Sequence, residues 1–318
     1  MKPPYDITPT TLKLISEISE KLGVVQAGFM DKPTPQLRKQ NKIQTIHHSL
    51  KMEGNSLSEN QITEIVENKR VIGPSKDIRE VVNAIEIYDN LKAFSPSSEK
   101  SFLKAHGMLM KGLVSDAGNF RKQGVGIVKG DIVEHLAPHY QKAPYLMKDL
   151  FNYLKNPEEL TLIKSCVFHY EMEFIHPFVD GNGRMGRLWQ TLILLQDYEV
   201  FEFLPFETLI SQSQKDYYRV LAECDKSGKS TLFIEYMLDI INQSLEDLLN
   251  QNRRTLTQSN RLDYFLSKYT GEFSRKDYMM VFKNISSATA SRDLKAGIQN
   301  GLLRSTGSGN RTVYKGTR

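Results

Sequence analysis

The spacing of apolar positions along the chain is that of helices. Thr11–Leu22 carries Leu12, Ile15, Ile18 and Leu22 at intervals of three to four, the period of one helix face. Pro33 and Pro35 separate it from a second helix, Gln36–Glu53, whose apolar stripe is Ile43, Ile46 and Leu50 and whose stop is Gly54-Asn55. The same period recurs over Glu59–Asn68, Asp77–Ala93, Ser98–Leu113, Ala143–Asn156, Pro157–Ile175, Arg184–Gln196, Thr208–Lys226 and Thr231–Asn250. Pro177 forbids simple continuation of the helix before it. Only Phe120–Pro138 breaks the rhythm. There Val125, Ile127, Ile132 and Val133 flank Lys129-Gly130-Asp131, which predicts a β-hairpin with a Gly-Asp turn. A lone hairpin in a helical body has unpaired edges, which demands a reason.

Beyond Asn250 the texture changes. Ser259–Tyr269, Ser274–Phe282 and Ser286–Asn300 predict three short helices, and Leu302–Arg304 and Thr312–Tyr314 predict a hairpin around a Ser305–Gly309 turn. Three helices and a hairpin in so short a stretch fit a winged helix-turn-helix. The expected fold is therefore mainly α: a helical core with a β-hairpin flap, followed by a small winged helix-turn-helix domain. The expected divisions are a leader over 1–35, a core over 36–250 and a linker plus tail domain over 251–318, with Gln251–Asn260 as the linker.

Charge divides at the same place. The 318 residues carry a net charge of +5, but residues 251–318 hold 13 Lys and Arg against 4 Asp and Glu. The preceding 250 residues hold 29 basic against 33 acidic side chains, so a mildly acidic body carries a basic tail. Arg292, Lys295, Arg304 and Arg311 would meet phosphates, which makes DNA a candidate partner of the tail. No apolar run approaches the ~20 residues of a membrane span, and the N-terminus lacks a signal peptide's apolar segment, so no membrane partner is expected. Cys166 and Cys224 are the only cysteines, too few for a disulfide framework, and a reducing, cytoplasmic location is expected.

The chemistry concentrates in His176-Pro177-Phe178-Val179-Asp180-Gly181-Asn182-Gly183-Arg184-Met185-Gly186-Arg187. Two glycines flank an Asn just ahead of a helix, so successive N–H groups can form an anion-binding nest backed by the helix N-terminus. Arg184 and Arg187 are badly placed for the helix dipole there, and become sensible opposite a polyphosphate. Asp180 beside phosphate is a natural Mg²⁺ ligand, and His176 lies close enough to serve as a base. An EF-hand is excluded by Arg184 at the loop's fifth position and Met185 where it needs glycine. Ser227–Thr231 imitates the end of a Walker A loop, but Glu223 stands at the required first glycine and no strand precedes it. The histidine pairs His135/His139 and His169/His176 lack a zinc-protease pattern, and His48 and His106 are read as packing or solvent-facing residues.

This segment matches the Fic family motif, HxFx(D/E)GNGRxxR, at every specified position, and the resemblance extends over roughly residues 36–250. It implies transfer of AMP from ATP to a Ser, Thr or Tyr hydroxyl of a target protein, with Mg²⁺. It further implies that His176 takes the hydroxyl proton and that Asp180 holds the metal. Gly181, Asn182 and Gly183 would form the anion hole, with Arg184, Gly186 and Arg187 completing the nucleotide site and Arg187 at the γ-phosphate. Tyr217 or Tyr218 would line the base pocket. The hairpin gains a role as the flap that holds target backbone by strand addition, with Val125, Gly126, Ile127 and Val128 on its first strand.

Ser49-Leu50-Lys51-Met52-Glu53-Gly54 resembles the family's inhibitory motif, (S/T)xxxE(G/N). Independently, Glu53 extends the apolar stripe of its helix and sits at a C-terminus that disfavours negative charge, so it should have a cationic partner. The resemblance implies that the partner is Arg187 and that Glu53 blocks the γ-phosphate. Many relatives have Ile where Met52 stands, and either side chain would seat the helix. Three alternatives stand beside autoinhibited AMP transfer: AMP removal, another phosphate-containing donor, and a DNA-binding regulator whose core senses nucleotide. A homo-oligomer is a candidate assembly.

Overall fold

A computed structural model describes residues 2–26, 35–124, 126–129, 132–255, 258–269, 271–282, 285–307 and 312–317. The chain divides into two compact units, Met1–Leu22 with Pro33–Leu245, and Gly23–Lys32 with Glu246–Arg318.

The first unit is helical. Its elements are α1 (Pro9–Gln26), α2 (Pro35–Lys51), α3 (Glu59–Val66), α4 (Ser75–Asp89), α5 (Glu99–Leu109), the strands β1 (Gly126–Lys129) and β2 (Ile132–Leu136), α6 (Ala143–Leu154), α7 (Thr161–Ile175), α8 (Asn182–Leu195), α9 (Glu207–Gln212), α10 (Gln214–Ser227) and α11 (Thr231–Thr255). The helices α7 and α8 form the centre. Every residue from Arg184 to Leu194 of α8 is buried, the polar Arg184, Arg187, Gln190 and Thr191 among them, as are ten residues of α7. Around them Phe102, Phe151, Phe168, Phe178 and Trp189 pack ring against ring at centroid distances of 5.0–6.0 Å. Trp189 donates Nε1–H to the Pro96 carbonyl at 2.8 Å, which satisfies its one polar group inside the core.

Two expectations change. The helix over Thr11–Leu22 forms, but its buried stripe is Thr11, Leu14, Ile18 and Leu22, while Leu12 is 60% exposed. The segment before it explains the rotation, because Thr8 bonds Glu235 and Thr11, and the Asp6 amide donates to Thr231, fixing α1 against α11. In the region read as a linker, α11 continues as helix to Thr255.

The hairpin forms as a two-stranded antiparallel sheet, pairing Gly126 with Leu136 and Lys129 with Ile132, with a register shift between Ile127 and Val128. Val125 and the Gly130-Asp131 turn lie outside the described residues.

The second unit holds α12 (Gln258–Lys268), β3 (Phe273–Ser274), α13 (Arg275–Val281), α14 (Ser287–Gln299), β4 (Leu303–Thr306) and β5 (Val313–Gly316). Its sheet has the order β3-β5-β4, one short strand more than the expected hairpin. Leu262, Phe265, Phe273, Tyr278, Phe282, Ala290, Leu294 and Leu303 make its core. Inside it a bidentate pair joins Arg261 to Asp293 at 2.7 and 2.9 Å, and Tyr278 donates to the same carboxylate at 3.1 Å, so one polar cluster ties α12, α13 and α14. Ser274 and Ser286 cap α13 and α14. No helix among the described residues is long and apolar enough to cross a membrane.

Candidate active site

The site is built on the loop between α7 and α8. The helix α7 ends because Pro177 follows His176, and His176 takes the left-handed conformation (φ 49°) that non-glycine residues rarely adopt. Its Nδ1 lies 3.2 Å from the Glu173 carbonyl, which can only accept, so Nδ1 carries the proton and Nε2 the lone pair. The carbonyls at the end of α7 meet the buried guanidinium of Arg121, whose Nε donates to His176 O at 2.7 Å.

The loop is then locked from two sides. Asn182 accepts from the Phe178 amide and donates to the Phe178 carbonyl, both at 3.0 Å. This spends the Asn182 side chain on the loop itself. His106 accepts the Gly118 amide on Nδ1 at 2.9 Å, which leaves Nε2–H to donate to the Asp180 carbonyl at 3.0 Å. Its ring stacks on Phe178 with centroids 3.6 Å apart, and burial pulls its pKa down to about 4, so it is a neutral strut. Gly181 has φ +86°, and a Cβ there would approach Met110 Sδ to 2.8 Å, so both its backbone and its surroundings require glycine.

Both arginines are buried, Arg184 to 4% and Arg187 to 1% exposure. Arg184 donates Nη2 to Asp180 Oδ1 at 2.9 Å and Nη1 to Glu80 Oε1 at 3.0 Å, and its Nε is buried without a hydrogen-bond partner among the described residues. Asp180 Oδ1 also accepts the Gly181 amide at 2.6 Å. Arg187 donates Nε to Ser49 Oγ at 3.1 Å, and Nη2 to the Ser49 carbonyl at 2.9 Å and to Glu53 Oε1 at 2.7 Å. Burial is the largest single influence on Arg187 and opposes its charge, but Glu53, Tyr217 and Glu173 together outweigh it and raise the pKa of the guanidinium further.

The (S/T)xxxE(G/N) spacing now has a physical reading. Ser49 and Glu53 are four apart, so one face of the α2 terminus presents both to one guanidinium. The helix stops there because the Gly54 amide bonds Lys51 O at 3.0 Å and the Asn55 amide bonds Leu50 O at 3.2 Å, a Schellman ending with Gly54 at φ +87°. The Gly/Asn choice in the motif is thus the choice of residues that tolerate left-handed backbone. A Cβ on Gly183 would strike the Glu53 carboxylate, so Glu53 lies directly over the nest.

The remaining expected residues separate. Tyr217 is 1% exposed, its hydroxyl bonding His169 Nε2 at 3.0 Å and Glu173 Oε1 at 3.3 Å, which places it in the core behind the site. Tyr218 is 43% exposed and is the tyrosine of the pair that reaches the surface. Gly186 faces His169, where a Cβ would come within 2.7 Å of Cδ2, so its glycine serves the packing of α8 on α7 and lies away from the nest. Asp180, with its side chain 43% exposed, offers one carboxylate beside the nest. That suits Mg²⁺, which takes one or two carboxylates and completes its shell with water and substrate phosphate. Among the described residues no His, Cys, Asp and Glu cluster forms a metal site by itself. Glu80 and Arg121 escaped the sequence reading, and His106, read there as a packing or solvent-facing residue, is buried and bonded to the loop. Of these only Glu80 left a signal, as a charged residue on the Glu80–Ala84–Ile87 stripe.

Comparison with known proteins gives the frame. The Fic/DOC family profile matches residues 96–194. "Protein adenylyltransferase Fic" of Nematostella vectensis is 26% identical over 253 residues, covering 75% of this chain and 55% of that protein. "Protein adenylyltransferase fic-1" of Caenorhabditis elegans is 30% identical over 176 residues, covering 51% and 34%. The chain thus spans about half or a third of the length of these relatives. A solved Fic domain-containing signaling protein from Bacteroides thetaiotaomicron, 18% identical over 73% of this chain and 95% of that one at TM-score 0.61, shares the fold. A solved Fic family protein from Desulfovibrio desulfuricans aligns over 100% of this chain and 98% of its own, with TM-score 0.75 and 38% identity. With this likeness end to end, and the complete motif folded around a helix N-terminus, the chain belongs to the Fic family.

Proposed function

We propose that this protein is a protein adenylyltransferase held inactive by its own α2 helix. The reading is carried by one observation: Arg187 is bonded by both Ser49 and Glu53 of that helix. A nucleotide's outer phosphate would have to compete with Glu53 for this guanidinium. The names of the curated relatives support the same activity, at modest identity.

In the transfer step His176 Nε2 accepts the proton of a target Ser, Thr or Tyr hydroxyl as its oxygen bonds to the α-phosphorus of ATP. The bond from that phosphorus to the bridging oxygen breaks and pyrophosphate leaves. The N–H groups of residues 181–183, the orphaned Nε of buried Arg184 and the Arg187 guanidinium supply donors for the phosphates. A Mg²⁺ on Asp180, when bound, would neutralise developing phosphate charge. The catalytic contribution is positioning and electrostatic stabilisation with one general base.

The test is incubation with α-labelled ATP in cell lysate. Glu53→Gly should raise label on protein well above wild type, and Glu53→Gly with His176→Ala should abolish it. Equal labelling of wild type and Glu53→Gly removes the inhibition reading. Release of AMP from prelabelled protein would favour the removal reaction.

A second reading concerns the tail, taken as a winged helix-turn-helix that binds DNA. Arg304 and Lys315 are direct partners across β4 and β5, an arrangement of like charges that disfavours pairing unless a polyanion faces it. Arg292 and Lys295 lie exposed on α14. A gel shift of the full chain should weaken with salt and be lost in Arg304→Glu with Lys315→Glu. No shift at low salt ends this reading.

A further inference from the structure

We infer that Arg121 is a positioning residue which sets the base His176 and the target-holding hairpin in one register through a single guanidinium. The inference rests on the adenylyltransferase reading for its consequence, and on geometry for its existence.

Arg121 is 2% exposed, and among the described residues its guanidinium meets no carboxylate. Its donors go to backbone carbonyls of three segments. Nε donates to His176 O at 2.7 Å and Nη2 to Ile175 O at 3.4 Å, both at the end of α7. Nη1 donates to Gln123 O at 2.9 Å, three residues before β1, and Nη2 also to Pro138 O, two residues after β2. The Arg121 amide adds a bond to Pro177 O at 2.9 Å.

A buried cation without an anionic partner is costly, and burial lowers the Arg121 pKa accordingly. If the fold needed only bulk here, an apolar side chain would serve better. Only a planar fork of five N–H donors reaches carbonyls from three directions at once. The carbonyls at the helix end carry the negative pole of the α7 dipole, which offsets part of the cost. Both roots of the hairpin are therefore pinned to the carbonyl of the residue that would act as base. His176 holds a left-handed conformation, and that carbonyl bond is among the contacts that fix it there. A target segment added to the hairpin edge would bring its hydroxyl to His176 at a height set by Arg121.

The experiment compares Arg121→Lys and Arg121→Gln with the parent, all in full-length Glu53→Gly protein. Two readouts are independent of turnover. Amide hydrogen exchange across residues 126–136 should accelerate about tenfold or more in both variants, while exchange across α8 stays at the parent rate. The NMR signal of the His176 ring should move in both variants. In the labelling assay, incorporation from α-labelled ATP should fall tenfold or more, with ATP affinity by titration unchanged within about twofold. Parent-like exchange and labelling in Arg121→Lys would overturn the inference, as would an equal loss of ATP affinity, which marks a general packing role. If the parent itself fails to label protein, the adenylyltransferase reading fails, and the exchange and NMR results still decide whether Arg121 couples the hairpin to His176.

Discussion

Arg184 and Glu80 meet at 3.0 Å, each with a side chain 4% exposed. The other Glu80 oxygen accepts from Asn55 Nδ2 at 2.8 Å. Asn55 closes the Schellman ending of α2, so that terminus reaches both arginines of the motif, Arg187 through Glu53 and Arg184 through Asn55 and Glu80. Removing one partner of a buried pair costs about 3–5 kcal/mol where the other charge is left uncompensated, and here Asp180 still meets Arg184 at 2.9 Å, which places the cost at the lower end. Glu80→Ala should therefore lower stability by that order in urea denaturation. It should also weaken ATP binding in a Glu53→Gly background, because Arg184 loses its aim.

Gly54 offers a separation of strain from contact. Nothing lies within 4 Å of a Cβ built there, yet its φ is +87°. Gly54→Ala should cost about 1–2 kcal/mol through backbone conformation alone. Since that cost falls on the turn that presents Glu53, labelling should rise above wild type but stay below Glu53→Gly. Gly54→Asn should be closer to wild type on both measures.

His106 acts through two hydrogen bonds and a stack. His106→Phe keeps the stack on Phe178 but strands the Asp180 carbonyl and the Gly118 amide, at about 1–3 kcal/mol each when buried. The expected result is a lower melting temperature and weaker ATP binding in Glu53→Gly protein. An unchanged affinity would show that the loop holds its shape without this strut.

Acid and base should act on Glu207 in an unusual direction. It is fully buried, accepts from Thr45 and Thr191 at 3.3 and 3.5 Å, and desolvation raises its pKa from 4.5 to about 7. Between these values the folded chain holds a proton that the unfolded chain has released. Stability from this group is thus lost as pH rises through that window, by roughly 3 kcal/mol in full. Glu207→Gln should match wild type near pH 5 and exceed it near pH 8 in thermal melts. A constant difference across pH would refute the assignment.

The parts of the site legible in the sequence are those written within a few residues of each other. The nest glycines and the two arginines follow from loop chemistry, Glu53 follows from the apolar stripe and the end of its helix, and Ser49 is reached only through the resemblance of its motif. Glu80, His106 and Arg121 meet the motif across separations of 104, 74 and 55 residues, and no local period announces such partners. Tyr217 and Tyr218 are adjacent, so sequence alone offers no reason to separate them, and it is packing that buries Tyr217 against His169 while Tyr218 stays exposed. The α1 stripe was misassigned for the same cause, since contacts of Asp6 and Thr8 with the distant α11 fix its rotation.

The bonding of Arg187 has a consequence for anyone engineering this scaffold. Its buried guanidinium is satisfied by Ser49 and Glu53, and on the proposed inhibition an incoming nucleotide would have to displace Glu53 from it. On that proposal, heat resistance and turnover would pull on the same side chain in opposite senses. A library screened for thermal tolerance would drift toward silent enzymes, and one screened for labelling would yield fragile ones unless nucleotide is present to refill the gap.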